Sequence, residues 1–181
     1  MDELIPYLKQ QNDLLTAILA ELRHGQPILG FTDAPTLYRI YANRSNNCLW
    51  YTVRGGEVLP IAHTALTGYL QELKFEQVER RGKPVTKLMA YLKGDRPYCI
   101  ESGYDSQFSK GLLAAIAQLT PTQLTRPLTL MPQPGEDDAV LFCRVLVDAE
   151  PVMATYDDHT NWRDVAQTAL KNLHQVTLGE A

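Results

Sequence analysis

Cysteine and long apolar runs are scarce in this chain of 181 residues. Its three cysteines, Cys48, Cys99 and Cys143, lie far apart, and the last two fall in segments with the residue pattern of strands. A buried free thiol packs as a small hydrophobe, so we expect structural, reduced cysteines, as in a cytoplasmic protein. No apolar run approaches the roughly 18 residues that a membrane span needs, and the N-terminus lacks the pattern of a signal peptide. We therefore expect no membrane partner.

The sequence also lacks the common catalytic and metal-binding motifs. It contains no Gly-rich phosphate loop, no HExxH, no paired CxxC and no GxSxG. The Glu-Ser-Gly sequence at 101–103 is not a nucleophile elbow, because none of the four scattered histidines can be identified as its partner. The Asp-Asp-His sequence at 157–159 is more typical of a helix-capping loop than of a metal site, since three adjacent residues do not normally converge on one ion. We expect a protein that is not an enzyme and uses no cofactor or metal.

Positive charge is in short supply as well. The chain has 17 basic and 21 acidic residues, and its formal net charge is -4. This balance argues against a protein that coats nucleic acid by bulk charge, so any such binding must use a local basic surface. The composition, 45% hydrophobic and 21% charged, is that of a globular protein. We expect one main domain with terminal helices.

Residues 1–25 have the pattern of an amphipathic helix, which Gly25 and Pro27 end. The helix either pairs with its copy in a second subunit, with a polar Asn12 fixing the register, or docks on its own domain. The first alternative predicts a homo-oligomer. Residues 26–35 then form a Gly- and Pro-containing linker. The apolar stripe recurs at spacings of three, four and seven: Ile5, Leu8, Leu15, Ile18, Leu19 and Leu22.

The main domain, residues 36–156, begins with an aromatic hairpin. Strand-like runs at Thr36–Ala42 and Cys48–Val53 are followed by Gly55-Gly56 and a third run, Val58–Ile61. Two glycines between such runs favour a tight turn with positive φ. The aromatic side chains of this segment alternate with arginines, which either stack bases and hold phosphate or simply pack on the sheet.

Residues 64–148 give three strands, an amphipathic helix and two more strands. Gly68 lies inside the first strand, whose apolar phase changes around Leu70 to Leu73, and a glycine at such a point is typical of a bulge or coil. A basic turn, Arg80–Pro84, joins this strand to Val85–Lys93. Alternation along the second strand places Leu88, Ala90 and Leu92 in the core and turns Lys87, Met89 and Tyr91 to the other face. Residues 157–181 form a C-terminal helix.

In this order of elements, residues 64–148 resemble the OB-fold single-stranded nucleic-acid-binding proteins. The resemblance implies a mainly β fold: a five-stranded Greek-key barrel with a helix between strands three and four, preceded by the aromatic hairpin. The chain departs from the usual bacterial single-stranded DNA-binding protein in having a helix where that protein has a Gly/Gln-rich acidic tail.

The resemblance also implies non-catalytic binding of single-stranded nucleic acid, with DNA as the first guess. Basic residues would neutralise phosphates and aromatic ones would stack unpaired bases. The alternative is a protein-interaction or assembly module that uses the barrel and the terminal helices. The expected phosphate contacts are Arg80, Arg81, Lys83 and Lys87, and the expected stacking residues are Trp50, Tyr51, Tyr91 and Tyr98.

Overall fold

The structure, a computed structural model, describes residues 11–15, 36–80 and 82–179. Contacts divide the chain into two units, Met1–Ala34 and Pro35–Ala181. In the first unit, residues 11–15 are helical, and we label them α1. The rest of the predicted N-terminal helix and the predicted linker lie outside the described residues.

The second unit is mainly β. Among its described residues, three helices accompany the strands: α2 (Gln107–Gln118), α3 (Pro121–Leu124) and α4 (Trp162–Gly179). A short 3-10 turn, Ser45–Asn47, separates the first two strands. The strands are β1 (Tyr38–Ala42), β2 (Trp50–Arg54), β3 (Glu57–Pro60), β4 (Leu66–Arg80), β5 (Lys83–Lys93), β6 (Pro97–Gly103), β7 (Leu128–Pro134), β8 (Leu141–Val147) and β9 (Glu150–Pro151).

The described strands form one open, mixed sheet in the order β3-β2-β1-β6-β5-β4-β7-β8-β9. The prediction of a closed five-stranded barrel is therefore wrong. The predicted aromatic hairpin does not precede a closed barrel; instead β1 pairs in parallel with β6 and makes the hairpin part of the same sheet. An alternating pattern specifies which side chains share a face, but it does not specify which strands are neighbours or whether a sheet closes. The helix predicted after the third barrel strand is α2, which lies between β6 and β7.

The predicted turn at Gly55 and Gly56 is confirmed, and the first strand of the predicted barrel has an irregularity near Gly68. Gly55 and Gly56 turn β2 into β3 with φ values of 58° and 86°, as a two-residue hairpin turn requires. The pairing of β4 with β5 shifts its register between Leu70 and Glu72, within the stretch where the apolar phase changes and just beyond Gly68. Gly68 itself permits a close approach, because a Cβ there would meet the carbonyl oxygen of Lys93 at 3.0 Å. At this point β4 changes its pairing from β7 to β5.

The core lies on the side of the sheet that α2 covers. Ser106 caps α2 by accepting a hydrogen bond from the Ser109 amide at 3.2 Å. Gly111 lets α2 lie directly on β8, because a Cβ there would meet the Cys143 carbonyl oxygen at 2.8 Å. Fully buried Phe108, Leu112 and Ile116 each stabilise the fold by roughly 1.5–3 kcal/mol.

α4 packs against α2 and satisfies its C-terminal end. The Asn172 side chain donates to the carbonyl oxygens of Ala117 and Leu119 at 3.1 and 3.0 Å, groups that a helix end leaves without backbone partners. The segment before α4 is a turn in which the Asp157 carboxylate accepts from the His159 amide at 3.0 Å. None of the helices in the described residues has both the length and the hydropathy for crossing a membrane.

Candidate nucleic-acid interface

The sheet has a second face, opposite the one that α2 covers. Residues that pair directly across neighbouring strands point to the same face, and Glu101 pairs with Met89 on one side and Tyr41 on the other. Tyr41 in turn pairs with Tyr51. We call this surface the Glu101 face. On the stretches of β1, β2, β4, β5 and β6 that pair with one another, its polar and aromatic members are Arg39, Tyr41, Tyr51, Tyr69, Glu72, Lys74, Glu76, Arg80, Lys83, Lys87, Tyr91, Lys93 and Glu101.

At the centre of the face is a buried carboxylate that holds two arginines. The Glu101 side chain is only 3% exposed, and its two oxygens lie 3.3 Å from Arg39 Nη1 and 2.7 Å from Arg80 Nη2. A buried charge is costly unless it is paired and hydrogen-bonded, which explains why both oxygens are used. The arginine side chains remain 40% and 48% exposed. Because each guanidinium carries five N–H donors, both keep donors for a ligand while their positions are fixed.

Aromatic rings extend this cluster along the face. The Arg80 guanidinium carbon lies 5.7 Å from the centre of the Tyr41 ring, within reach of a cation–π contact. Tyr41 and Tyr51 are stacked, with ring centres 5.2 Å apart and planes inclined by 20°. The Asn43 side chain donates to the Tyr51 hydroxyl at 3.4 Å. The pKa of Arg80 is raised, chiefly by its hydrogen bond to Glu101, so the cation beside the rings is permanent.

Tyr91 forms a second aromatic position on β5. Its hydroxyl donates to Glu76 Oε1 at 3.4 Å, and the Lys74 ammonium lies 5.6 Å from its ring centre. Burial, with smaller contributions from Cys99 and Glu76, raises the pKa of Tyr91 to about 12. The hydroxyl is therefore protonated at neutral pH and acts as a donor. Cys99 is completely buried beside it, and burial raises the pKa of its thiol, which makes it unreactive.

The face is locally basic although the chain is acidic. Among the described residues it carries six basic side chains against three acidic ones, a formal charge of +3, whereas the whole chain has -4. Lys83 and Lys87 lie toward the β4–β5 turn, where they pair in register with Arg80 and Glu76. Such a local excess of one sign attracts an oppositely charged ligand regardless of net charge.

Of the eight residues predicted from the sequence, the structure places five on the Glu101 face and two, Trp50 and Tyr98, on the opposite face. Trp50 is 2% exposed on the core face, and its indole nitrogen donates to the His63 carbonyl oxygen at 2.8 Å. Tyr98 also lies on the opposite face, edge-on to Tyr38. Arg81 lies outside the described residues. The five that share the Glu101 face are Tyr51, Arg80, Lys83, Lys87 and Tyr91.

The selection missed the residues that organise the face: Arg39, Tyr41 and Glu101. The alternation of apolar and polar residues predicts that Glu101 points away from Ile100. It does not show that β1 lies beside β6, and that pairing joins residues far apart in sequence. Without knowledge of the β1–β6 pairing, the sequence does not show that Arg39 and Glu101 lie close together.

The Glu101 face therefore combines fixed cations and aromatic rings on paired strands. In the part of the chain that the structure describes, no three His, Cys, Asp or Glu side chains are grouped so that they could hold a metal ion. No protein-family model, curated protein or solved structure matches the chain.

Proposed function

We propose that this protein binds single-stranded nucleic acid across the Glu101 face, without catalysing a reaction. The observation that carries the proposal is the pair of half-exposed arginines, Arg39 and Arg80, fixed by a buried carboxylate beside the stacked Tyr41–Tyr51 pair. Single-stranded DNA is the first ligand to test.

The physical case rests on two complementary groups. Arginine forms strong, charge-assisted hydrogen bonds with phosphate oxygens. Aromatic rings stack unpaired bases, and each stacked base contributes about 1–3 kcal/mol. Bases in a duplex already stack on one another, so the tyrosines favour a strand whose bases are free.

The acidic residues of the face do not abolish this attraction. Glu101 is buried and shared between two arginines, so the cluster of three has an excess of one positive charge. Glu72 is paired with Lys74 at 2.9 Å. The remaining positive excess lies at Lys83 and Lys87 near the β4–β5 turn and at Lys93 at the other end of β5.

Fluorescence-anisotropy titration tests the proposal, with labelled single-stranded DNA, single-stranded RNA and duplex DNA at low and moderate salt. We expect selective, salt-sensitive binding to single strands. Tyr51→Leu should weaken it about five- to a hundredfold, the loss of one stacked base. Tyr104→Leu is the matched control, since Tyr104 is 55% exposed and lies outside the face. Equal affinity for duplex and single strands, or an unchanged affinity of Tyr51→Leu, would contradict the proposal.

A protein-interaction module is the second candidate, and one observation favours it. In the described part of the chain β3 is an edge of the sheet, all four of its residues are exposed, and Val58 and Leu59 are 40% and 39% exposed. An edge strand of this kind can pair with a strand of another protein. Such an association lacks the steep salt dependence of nucleic-acid binding, so the same titration series distinguishes the two functions.

A further inference from the structure

A cavity of about 430 Å³ opens on the opposite face of the sheet, at the end where β1 begins and β2 ends. Its volume falls in the range typical of small-molecule sites. Apolar walls come from Ile40, Trp50 and Ile61, and the side chains of Tyr38 and Tyr98 add two aromatic rings. We call it the Tyr38 pocket. It shares no lining residue with the Glu101 face.

Two arginines gather around one ring of this pocket. The guanidinium carbons of Arg54 and Arg96 lie 5.5 and 5.7 Å from the centre of the Tyr38 ring. Like-charged side chains normally separate, so their approach to a single ring concentrates positive charge in a small volume. Arg96 Nε is 3.4 Å from the Asp95 carboxylate.

Asp95 only partly offsets this charge. It accepts a hydrogen bond from the Tyr98 hydroxyl at 2.5 Å, and this bond is the main reason that its pKa is lowered. With two arginines and one ionised carboxylate among the described lining residues, the pocket has a net positive charge. Tyr98 is held in turn edge-on to Tyr38, with ring centres 5.7 Å apart.

Neighbouring contacts form the walls in advance of any ligand. The Trp50 indole donates to the His63 carbonyl oxygen at 2.8 Å, and the Ile61 amide donates to the Trp50 carbonyl oxygen at 3.1 Å. These two bonds fix the segment after β3 against the pocket. On the other side, Gly94 leaves room for the Tyr98 ring, because a Cβ there would lie 3.2 Å from its Cε2 atom.

We infer that the Tyr38 pocket binds a nucleoside monophosphate unit, with its base against the Tyr38 and Tyr98 rings and its phosphate held by Arg54 and Arg96. The apolar and aromatic walls suit a flat ring, and the two guanidiniums suit an anion, so a ligand that carries both fits the pocket better than either alone. The unit comes either from a free nucleotide or from the phosphorylated end of a strand. This site does not depend on the proposed role of the Glu101 face.

Isothermal titration calorimetry with adenosine 5′-monophosphate, adenosine and inorganic phosphate tests the inference. We expect saturable binding of the monophosphate, with adenosine and phosphate each at least about tenfold weaker, because each makes half of the contacts. Arg54→Ala and Arg96→Ala should each weaken it about tenfold or more through loss of charge-assisted hydrogen bonds. Arg144→Ala on β8, an exposed arginine outside the pocket, is the matched control and should bind normally.

A second experiment determines whether the bound nucleoside monophosphate is a free nucleotide or the phosphorylated end of a strand. An oligodeoxynucleotide of about eight residues is compared with and without a 5′-phosphate, in the Tyr51→Leu variant so that binding to the Glu101 face is weakened. A preference for the phosphorylated end supports the inference with the strand end as ligand, and binding of free monophosphate alone supports it with the nucleotide as ligand. The inference is overturned if neither the phosphorylated strand end nor the free monophosphate binds, or if binding survives both arginine substitutions. Tyr38→Phe keeps the ring and should bind, whereas Tyr38→Leu should not.

Discussion

Arg80 on β4 donates to the buried Glu101 carboxylate on β6 at 2.7 Å, although β5 lies between these two strands. The arginine thus reaches across a whole strand. Arg39 approaches the same carboxylate from β1, on the other side of β6. One carboxylate therefore connects three separate strands of the Glu101 face and sets where its cations lie.

Glu101→Gln should lower the stability of the fold and strengthen nucleic-acid binding together. The amide removes the anion that both arginines share, at a cost of about 1–2 kcal/mol in the free energy of unfolding, because the arginines remain hydrated at the surface. The gain of one positive charge should tighten binding of a phosphate backbone. Urea unfolding and anisotropy measure the two effects.

Glu72→Gln is the control for this variant. It removes the same charge from the same face, but Glu72 is 47% exposed and pairs with an exposed Lys74, so the unfolding free energy should change by less than about 0.5 kcal/mol. If both variants lost equal stability, the central role of Glu101 would be wrong.

Substituting Lys83 and Lys87 by alanine should reduce the salt dependence of single-strand binding. Each phosphate contact releases counterions, so losing two contacts lowers the slope of log affinity against log salt by about 1.4. The fold should keep its stability, since Lys83 is exposed and Lys87 half-buried. Titrations at four salt concentrations give the slope. An unchanged slope would show that the β4–β5 turn does not contact the phosphates.

Tyr91 should make the fold sensitive to strong alkali. Its pKa is raised from 10.0 to about 12 in the folded protein, so folding favours the protonated hydroxyl. This contribution is complete below about pH 10, the unfolded pKa, and is lost as the pH rises toward about 12. As the pH rises from about 9 to about 11, the urea midpoint of the natural protein should therefore fall relative to that of Tyr91→Phe. A constant difference would contradict the assignment.

Gly111→Ala should destabilise the protein although alanine is the better helix former. The intrinsic preference for alanine is worth about 1 kcal/mol. Here the added Cβ would lie 2.8 Å from the Cys143 carbonyl oxygen, and forcing α2 away from β8 costs roughly 1–3 kcal/mol. Gln118→Ala, at the exposed end of the same helix, should be neutral or slightly stabilising. Thermal unfolding compares the two, and a stabilised Gly111→Ala would show that α2 can move freely.

Local patterns predicted local structure well. The glycine pair at 55–56, the alternation of faces along β5 and the apolar spacing of α2 each depend on residues close in sequence, and each is present in the structure. Met89 lies on the face opposite Leu88, as predicted, but is fully buried there.

Long-range pairing was the part that the sequence could not reveal. The β1–β6 contact joins Arg39 to a strand about 60 residues away, and no periodicity encodes it. One error was avoidable, because adjacent residues of a strand point to opposite faces. Trp50 and Tyr51 could never have stacked bases on the same surface, and the structure places only Tyr51 on the Glu101 face.

The parallel contact between β1 and β6 also has a kinetic consequence. The contacts β1–β2, β2–β3, β4–β5 and β7–β8 close over short stretches of chain, whereas docking of β1 on β6 joins strands about 60 residues apart. Closing so long a loop costs entropy before any contact repays it, so we expect β1 to dock late in folding and to detach early in local opening. Amide hydrogen exchange would then be faster in β1 than in β5, and a ligand that bridges Tyr38 and Tyr98 would slow it by tying the two strands together.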